Sequence, residues 1–144
     1  MTTTQSLLDL SEWRGYINLP PLKDSAIKGI SFLLPSGRAA WSVSTAGLSI
    51  KESRDRISHE IGHCETGSFY TRLSPPTTRG KCEETARRWQ YKKMLPCEEL
   101  MAAIRRGIRS VWELAEEFDM PEETVIRAIE YYKSIDMWGE SYEH

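Results

Sequence analysis

The residues of this chain whose types and spacing could support chemistry are His-Glu-Ile-Gly-His at positions 59–63. An α-helix turns by about 100° per residue, so His59, Glu60 and His63 would share one face of a helix. Two imidazoles one turn apart can bind a zinc ion, which lowers the pKa of a bound water to about 7. A neighbouring carboxylate can accept that proton and pass it to a leaving amine. The pattern therefore predicts zinc-dependent hydrolysis with Glu60 as general base; the alternative is a histidine pair with a purely structural role.

A catalytic zinc site needs a third protein ligand, which usually comes from another element. Cys64 and Glu65 directly follow His63, and a neighbouring helical side chain points about 100° away from it. His144 is the last residue of the sequence, where fraying makes a ligand role unfavourable. The third ligand is therefore expected further along the chain.

Glu83 and Glu84 stand early in the second long predicted helix. Glu84 has Arg87 and Arg88 three and four residues later, an environment typical of a solvated acid. Glu83 instead has the small Ala86 one turn later, which lets two helices approach closely. We therefore predict Glu83 as the third ligand. The alternative for either glutamate is an acid that stabilises the N-terminal end of its helix.

Three motifs, in order along the chain, resemble those of the ImmA/IrrE family of metallopeptidases. The family pattern H-E-[LI]-G-H-C is matched at 59–64 and T-G-x-F-Y at 66–70, and E-x-x-A-[DN]-x-[WF]-A, ending in a short apolar stretch and proline, corresponds to 83–96. The resemblance covers residues 25–135. It departs from the pattern at Arg87, where Asp or Asn is usual, and at Gln90, where Ala is usual.

The resemblance implies an intracellular zinc peptidase. His59 and His63 match the family's histidine ligands, Glu83 its downstream acidic ligand and Glu60 its general base. Members of the family occur in phages and integrative elements and cleave a helix-turn-helix repressor, so the expected partner is a repressor protein in the cytoplasm. The two departures bear on packing and substrate preference, because neither residue is a ligand.

Three further residues near the motif have two readings each. The Tyr70 hydroxyl could donate a hydrogen bond to an oxyanion formed during hydrolysis, or the ring could simply pack the loop. Cys64 and Cys82 flank the proposed ligands and could form a thiolate site, but small buried cysteines are commoner. We therefore expect both cysteines to be core residues.

The sequence at 110–133 has the pattern of a helix-turn-helix, with a turn at Asp119-Met120-Pro121 between two amphipathic segments. It contains seven acidic residues against Arg127 and Lys133, a net charge of −5, and this sign opposes binding to DNA phosphates. We expect a packing or protein-recognition role and no nucleic-acid partner. The alternative function is a non-catalytic anti-repressor, or a DNA-binding regulator, acting through these helices.

Composition limits the remaining possibilities. The 144 residues are 40% hydrophobic and 28% charged, which excludes the disordered and collagen-like classes. Three cysteines do not suggest a disulfide framework, and no run approaches the ~20 apolar residues of a membrane span. A cytoplasmic protein without membrane contact is expected. Charge is uneven: residues 72–96 carry a net +5 and residues 97–144 a net −7.

The elements that must position the motif follow from apolar spacing and turn residues. We expect a first helix ending at Gly15, strands at 26–34 and 38–43 joined by a turn, a long helix from Ser49 to Gly67, a loop at 74–80, a helix at 82–95, and further helices after Pro96, Ser110 and Pro121. These give an α+β fold with a small antiparallel sheet packed on the HExxH helix and a C-terminal helical cluster. The predicted division is a zinc metallopeptidase core at 1–96 and a helical subdomain at 97–144.

Overall fold

The computed structural model describes residues 2–24 and 26–138, which form six helices and three strands. In chain order these are α1 (Thr4–Arg14), β1 (Ile17–Asn18), β2 (Gly29–Leu33), β3 (Ala39–Val43), α2 (Ile50–Thr66), α3 (Pro76–Met94), α4 (Cys97–Arg105), α5 (Val111–Phe118) and α6 (Glu122–Ser134). The α+β class is confirmed. None of the helices described is both long and apolar enough to cross a membrane.

The three strands form one sheet in the order β1-β3-β2. β2 and β3 are the expected antiparallel hairpin, with Gly29 opposite Val43 and Leu33 opposite Ala39. β1 was not predicted, because it is two residues long and is followed almost at once by Pro20. It pairs with β3 in parallel, so the sheet is mixed rather than wholly antiparallel. β3 is central and buried along its length.

Helix α2 lies against this sheet and has the ends that the sequence predicts. The Ser49 side chain accepts a hydrogen bond from the Glu52 amide at the N-terminal end, a favourable cap. Gly67 ends the helix with φ of 66°, in the left-handed region that favours glycine. Ile61 is fully buried in the same apolar cluster as side chains of β3.

Helix α3 begins earlier than predicted. Residues 76–80 are helical, whereas a loop was expected over 74–80 and a helix only from Cys82. The expectation was wrong because Pro76 occupies the first helical turn, where proline costs no hydrogen bond and its fixed φ suits the helix. The extra turn lies on the N-terminal side of Glu83.

The C-terminal helices pack against the rest of the chain through both apolar and polar contacts. Ser110 caps α5 as predicted, accepting from the Glu113 amide at 3.3 Å, and Asp119 ends that helix in the left-handed region with φ of 53°. The Tyr132 hydroxyl donates to the Leu95 carbonyl at 2.8 Å. One buried cluster includes residues of α1, the sheet and all the later helices. The division at residue 96 stays a prediction.

Candidate metal centre

Helix α2 presents the His-Glu-x-x-His motif to a cavity of about 460 Å³. The cavity is bounded by α2, α3, the first residues of β2, the segment after α2 and part of α6. His59, Glu60 and His63 all line it, which agrees with the shared helix face expected from their spacing. Glu83 lines it from α3.

Three metal-donor side chains converge inside the cavity. His59 Nε2 lies 2.8 Å from Glu83 Oε2, and His63 Nε2 lies 3.0 Å from Glu83 Oε1. One ligand atom from each residue lies within 4.8 Å of the other two. Zinc bound tetrahedrally at about 2.0–2.2 Å from each donor places two donors roughly 3.3 Å apart. The group therefore fits a single metal ion, and the convergence on Glu83 is the one predicted from sequence.

The Glu83 carboxylate is held ionised by its neighbours. Burial by itself would raise the pKa of this group, but hydrogen bonds with His59, His63 and Tyr70 outweigh burial and hold the pKa well below its ordinary value. Both carboxylate oxygens are engaged in these contacts. A carboxylate that stays charged is a suitable ligand for a divalent cation.

His63 is oriented from its far side by the main chain. Its Nδ1–H donates to the Ser68 carbonyl at 2.6 Å, which directs Nε2 into the cavity. Burial alone would lower the pKa of His63, yet the Glu83 carboxylate and the Ser68 carbonyl together raise it. A backbone partner on the second ring nitrogen is the usual arrangement of a metal-ligating histidine.

Glu60 is buried, with 7% of its surface exposed. Burial raises the pKa of its carboxyl, and the nearby His59 and His63 oppose that rise only in part. The carboxylate is accommodated by a glycine on β2: a Cβ at Gly29 would lie 2.6 Å from Glu60 Oε2 and 2.8 Å from its Cδ. Gly29 therefore leaves the space that the Glu60 carboxylate occupies.

A second glycine brings the two ligand-bearing helices together. A Cβ at Gly62 would lie 2.8 Å from the Ala86 carbonyl oxygen and 3.2 Å from Trp89 Cε3. Ala86 is fully buried at this crossing. The close approach of α2 and α3 is what places Glu83 within reach of the histidines.

Tyr70 contributes to the centre through Glu83. Its hydroxyl donates to Glu83 Oε1 at 2.7 Å, and burial together with this hydrogen bond raises the pKa of Tyr70 to about 12. The phenol therefore remains a donor near neutral pH. The sequence indicated Tyr70 as a residue of interest, but its contact with Glu83 was not foreseen.

The other candidate ligands lie away from the centre. Glu84 pairs with Arg88 at 3.5 Å on the exposed side of α3, and Glu65 accepts from Arg14 Nε at 2.9 Å. Cys64 is buried and unbridged, as expected of a core residue. His144 lies outside the described residues. Cys82 was expected to be a core residue but is only half-buried and lies outside the buried cluster; its Sγ lies 3.6 Å from the Phe69 carbonyl oxygen.

The two departures from the family pattern have definite places in the structure. Gln90 is buried and its amide donates to the Asp55 carboxylate at 2.9 Å and to the Ser58 hydroxyl at 2.9 Å. It thereby fastens α3 to α2. Thr124 of α6 donates to the same Asp55 oxygen at 2.8 Å. Arg87 lines the cavity one turn beyond Glu83.

No family model, curated protein or solved structure matches this chain. The structure itself contains a His-His-Glu group able to hold a metal ion, beside a buried carboxyl with a raised pKa, in one cavity.

Proposed function

We propose that this protein is a zinc-dependent cytoplasmic endopeptidase of the ImmA/IrrE kind that cleaves a helix-turn-helix repressor. The observation that carries the proposal is the convergence of His59, His63 and Glu83 within 4.8 Å of one another. The motif similarity, from the HExxH run to the segment after Glu83, supports the proposed family and substrate class.

His59, His63 and Glu83 would hold the ion. Two imidazoles and one carboxylate are the ligand set of many catalytic zinc sites, and they leave one position open. When bound, zinc would supply Lewis acidity, polarising a carbonyl and making water a stronger acid. The Ser68 carbonyl and the Tyr70 hydroxyl orient two of the three ligands.

Glu60 would act as the proton carrier. Glu60 lines the cavity beside the histidines, and burial raises the pKa of its carboxyl toward neutral pH. A pKa nearer the working pH suits a group that first accepts and then donates a proton. The carboxylate takes a proton from water as water attacks the peptide carbonyl, and it delivers that proton to the departing amine. If its contact with Glu83 were released, the Tyr70 hydroxyl would be able to donate a hydrogen bond to the substrate carbonyl oxygen.

The wall of the cavity suits an extended polypeptide. Residues 28–31 line it, and β2 is an edge strand of the described sheet. An edge strand has main-chain N–H and C=O groups free to pair with an added strand. This supports a protein substrate over a small molecule.

The proposal is tested by zinc analysis and by a cleavage assay. The purified, zinc-loaded protein is incubated with the helix-turn-helix regulators encoded beside its gene, with and without a chelator. We expect fragments that disappear with the chelator and with Glu60→Gln, while Glu60→Gln keeps its zinc. A repressor that is bound but left intact by the zinc-loaded protein would instead favour masking without cleavage.

The third ligand is tested separately by metal content. Glu83→Ala should lose zinc, whereas Glu84→Ala, on the exposed side of the same helix, should retain it. Equal zinc content in Glu83→Ala and the unmodified protein would eliminate Glu83 as a ligand.

A further inference from the structure

The cavity around the candidate metal centre has a strongly cationic lining. The cationic side chains are Lys28, Arg56, Arg72, Arg79, Arg87 and Arg127. The carboxylates are Asp55, Glu60 and Glu83. Since Glu60 and Glu83 belong to the centre, only Asp55 remains to balance the six cations. It already accepts hydrogen bonds from Gln90 and Thr124.

Most of these cations have no carboxylate partner. Among the residues that the structure describes, five of the six cations form no ion pair, and four of these five also have no side-chain hydrogen bond: Lys28, Arg72, Arg79 and Arg87. Arg56 donates to the Ser44 carbonyl at 2.6 Å, and Arg127 pairs with Glu123. The charge of the first four is therefore available to a ligand. Cations inside a concave site focus their field on what enters it.

The arginines on α3 are placed on either side of the ligand Glu83. Arg79 and Arg87 stand four residues before and after it, so the three side chains follow one helix face at a spacing of roughly 6 Å. Helical neighbours of opposite charge at this spacing commonly pair. Here they do not, because both Glu83 oxygens are engaged by His59, His63 and Tyr70.

We propose, building on the peptidase function, that this cavity selects acidic polypeptide segments, with Asp or Glu side chains near the bond that lies over Glu60. Arg87, Arg79, Arg72 and Lys28 would receive those carboxylates. A peptide can place its charged side chains over the arginines and present only neutral main chain to Asp55 and Glu60, the carboxylates that also line the cavity.

A nucleic acid fits this lining less well than an acidic peptide. It carries a phosphate at every nucleotide, so some of its charges would face Glu60 and Asp55, which also line the cavity. The observations therefore favour a polypeptide partner.

The test measures binding separately from cleavage. Zinc-loaded Glu60→Gln is titrated with fluorescent extended peptides of one length, in which alternate residues are Glu, Gln or Lys, and with a single-stranded oligonucleotide of similar length. The measurement is repeated in Glu60→Gln combined with Arg87→Gln and, as the matched control, with Arg88→Gln. Arg88 lies on the same helix but does not line the cavity. Zinc content is determined on every sample.

We expect the Glu peptide to bind at least about tenfold more tightly than the Gln peptide. Arg87→Gln should reduce that ratio about threefold or more, since it removes one cation from the cavity, and Arg88→Gln should leave it unchanged. Equal binding of the Glu and Gln peptides, an equal effect of the two arginine substitutions, or tighter binding of the oligonucleotide would each overturn the inference. A sample that fails to retain zinc contradicts the peptidase proposal, whereas a ratio near one in a zinc-loaded sample contradicts only the acidic preference.

Discussion

Gly62 on α2 lies so close to Ala86 on α3 that a methyl group at position 62 would sit 2.8 Å from the Ala86 carbonyl oxygen. The obstructing atom belongs to the main chain, so it is not free to rotate away. This contact fixes the separation of the helix that carries both histidines from the helix that carries Glu83. The fourth position of the HExxH motif thus has a structural role of its own.

Gly62→Ala should separate α2 from α3 and weaken metal binding. We expect a loss of about 1–3 kcal/mol in the free energy of unfolding from overpacking, and a zinc affinity lower by about tenfold or more, because Glu83 moves with α3. Urea denaturation and competitive zinc titration measure the two effects. The control is Gly80→Ala, on the partner helix α3 but with open space around the added methyl, which should stabilise that helix by about 0.5–1 kcal/mol. Unchanged zinc affinity in Gly62→Ala would refute this explanation of the helix crossing.

Gly29→Ala should impair hydrolysis while sparing the metal. The added methyl would overlap the Glu60 carboxylate, whose flexible end can move aside at small cost to stability. A displaced proton carrier should lower kcat by about a hundredfold, with zinc content unchanged. Kinetics on a cleaved repressor and metal analysis of the same sample separate these effects. A fall in zinc content parallel to the fall in kcat would show that Gly29 supports the ligands rather than Glu60.

Tyr70→Phe should weaken the hold on the ion. Removing the hydroxyl takes away the donor to Glu83 Oε1, and the loss of such an outer partner commonly costs about 10–100-fold in metal affinity or activity. Zinc affinity is measured by competition with a chromophoric chelator. Assaying the variant at saturating zinc then isolates any role toward substrate: full kcat there means that Tyr70 acts only through Glu83.

Arg54→Met should destabilise the fold without touching the cavity. Arg54 is 3% exposed and donates to the main-chain carbonyls of Thr2 at 2.7 Å and Asp119 at 2.8 Å. Methionine would leave these acceptors without their donor, at a cost of about 3 kcal/mol. Arg106→Met, which removes an exposed pair with Glu117, should cost under about 1 kcal/mol. Equal unfolding midpoints for the two variants would contradict the assigned role of Arg54.

The parts of the fold that sequence could predict are those governed by neighbours along the chain. Ser49 and Gly67 mark the ends of α2 because a cap and a left-handed glycine act within one helical turn. The turn between β2 and β3 is equally local. Within the site, the face shared by His59, Glu60 and His63 follows from helical periodicity alone.

The parts that sequence missed depend on residues far apart in the chain. β1 exists because β3 offers it a partner, and its two residues carry too little pattern to be recognised. In the sequence Gly29 is an ordinary strand residue, because only the fold shows that Glu60 packs against it. The start of α3 at Pro76 was missed because proline is common in loops. The small residues Gly62 and Ala86 were the available signal for the helix crossing, and only Ala86 was interpreted that way.

The short segment that follows α2 serves two donors at once. Its Ser68 carbonyl holds the ring of His63, and two residues later its Tyr70 hydroxyl holds the carboxylate of Glu83. Displacing this stretch of main chain would misalign a nitrogen on one helix and an oxygen on another in a single movement. Affinity for the ion should therefore fall whenever residues 68–70 become less ordered. A protein that binds this segment would alter metal binding without entering the cavity.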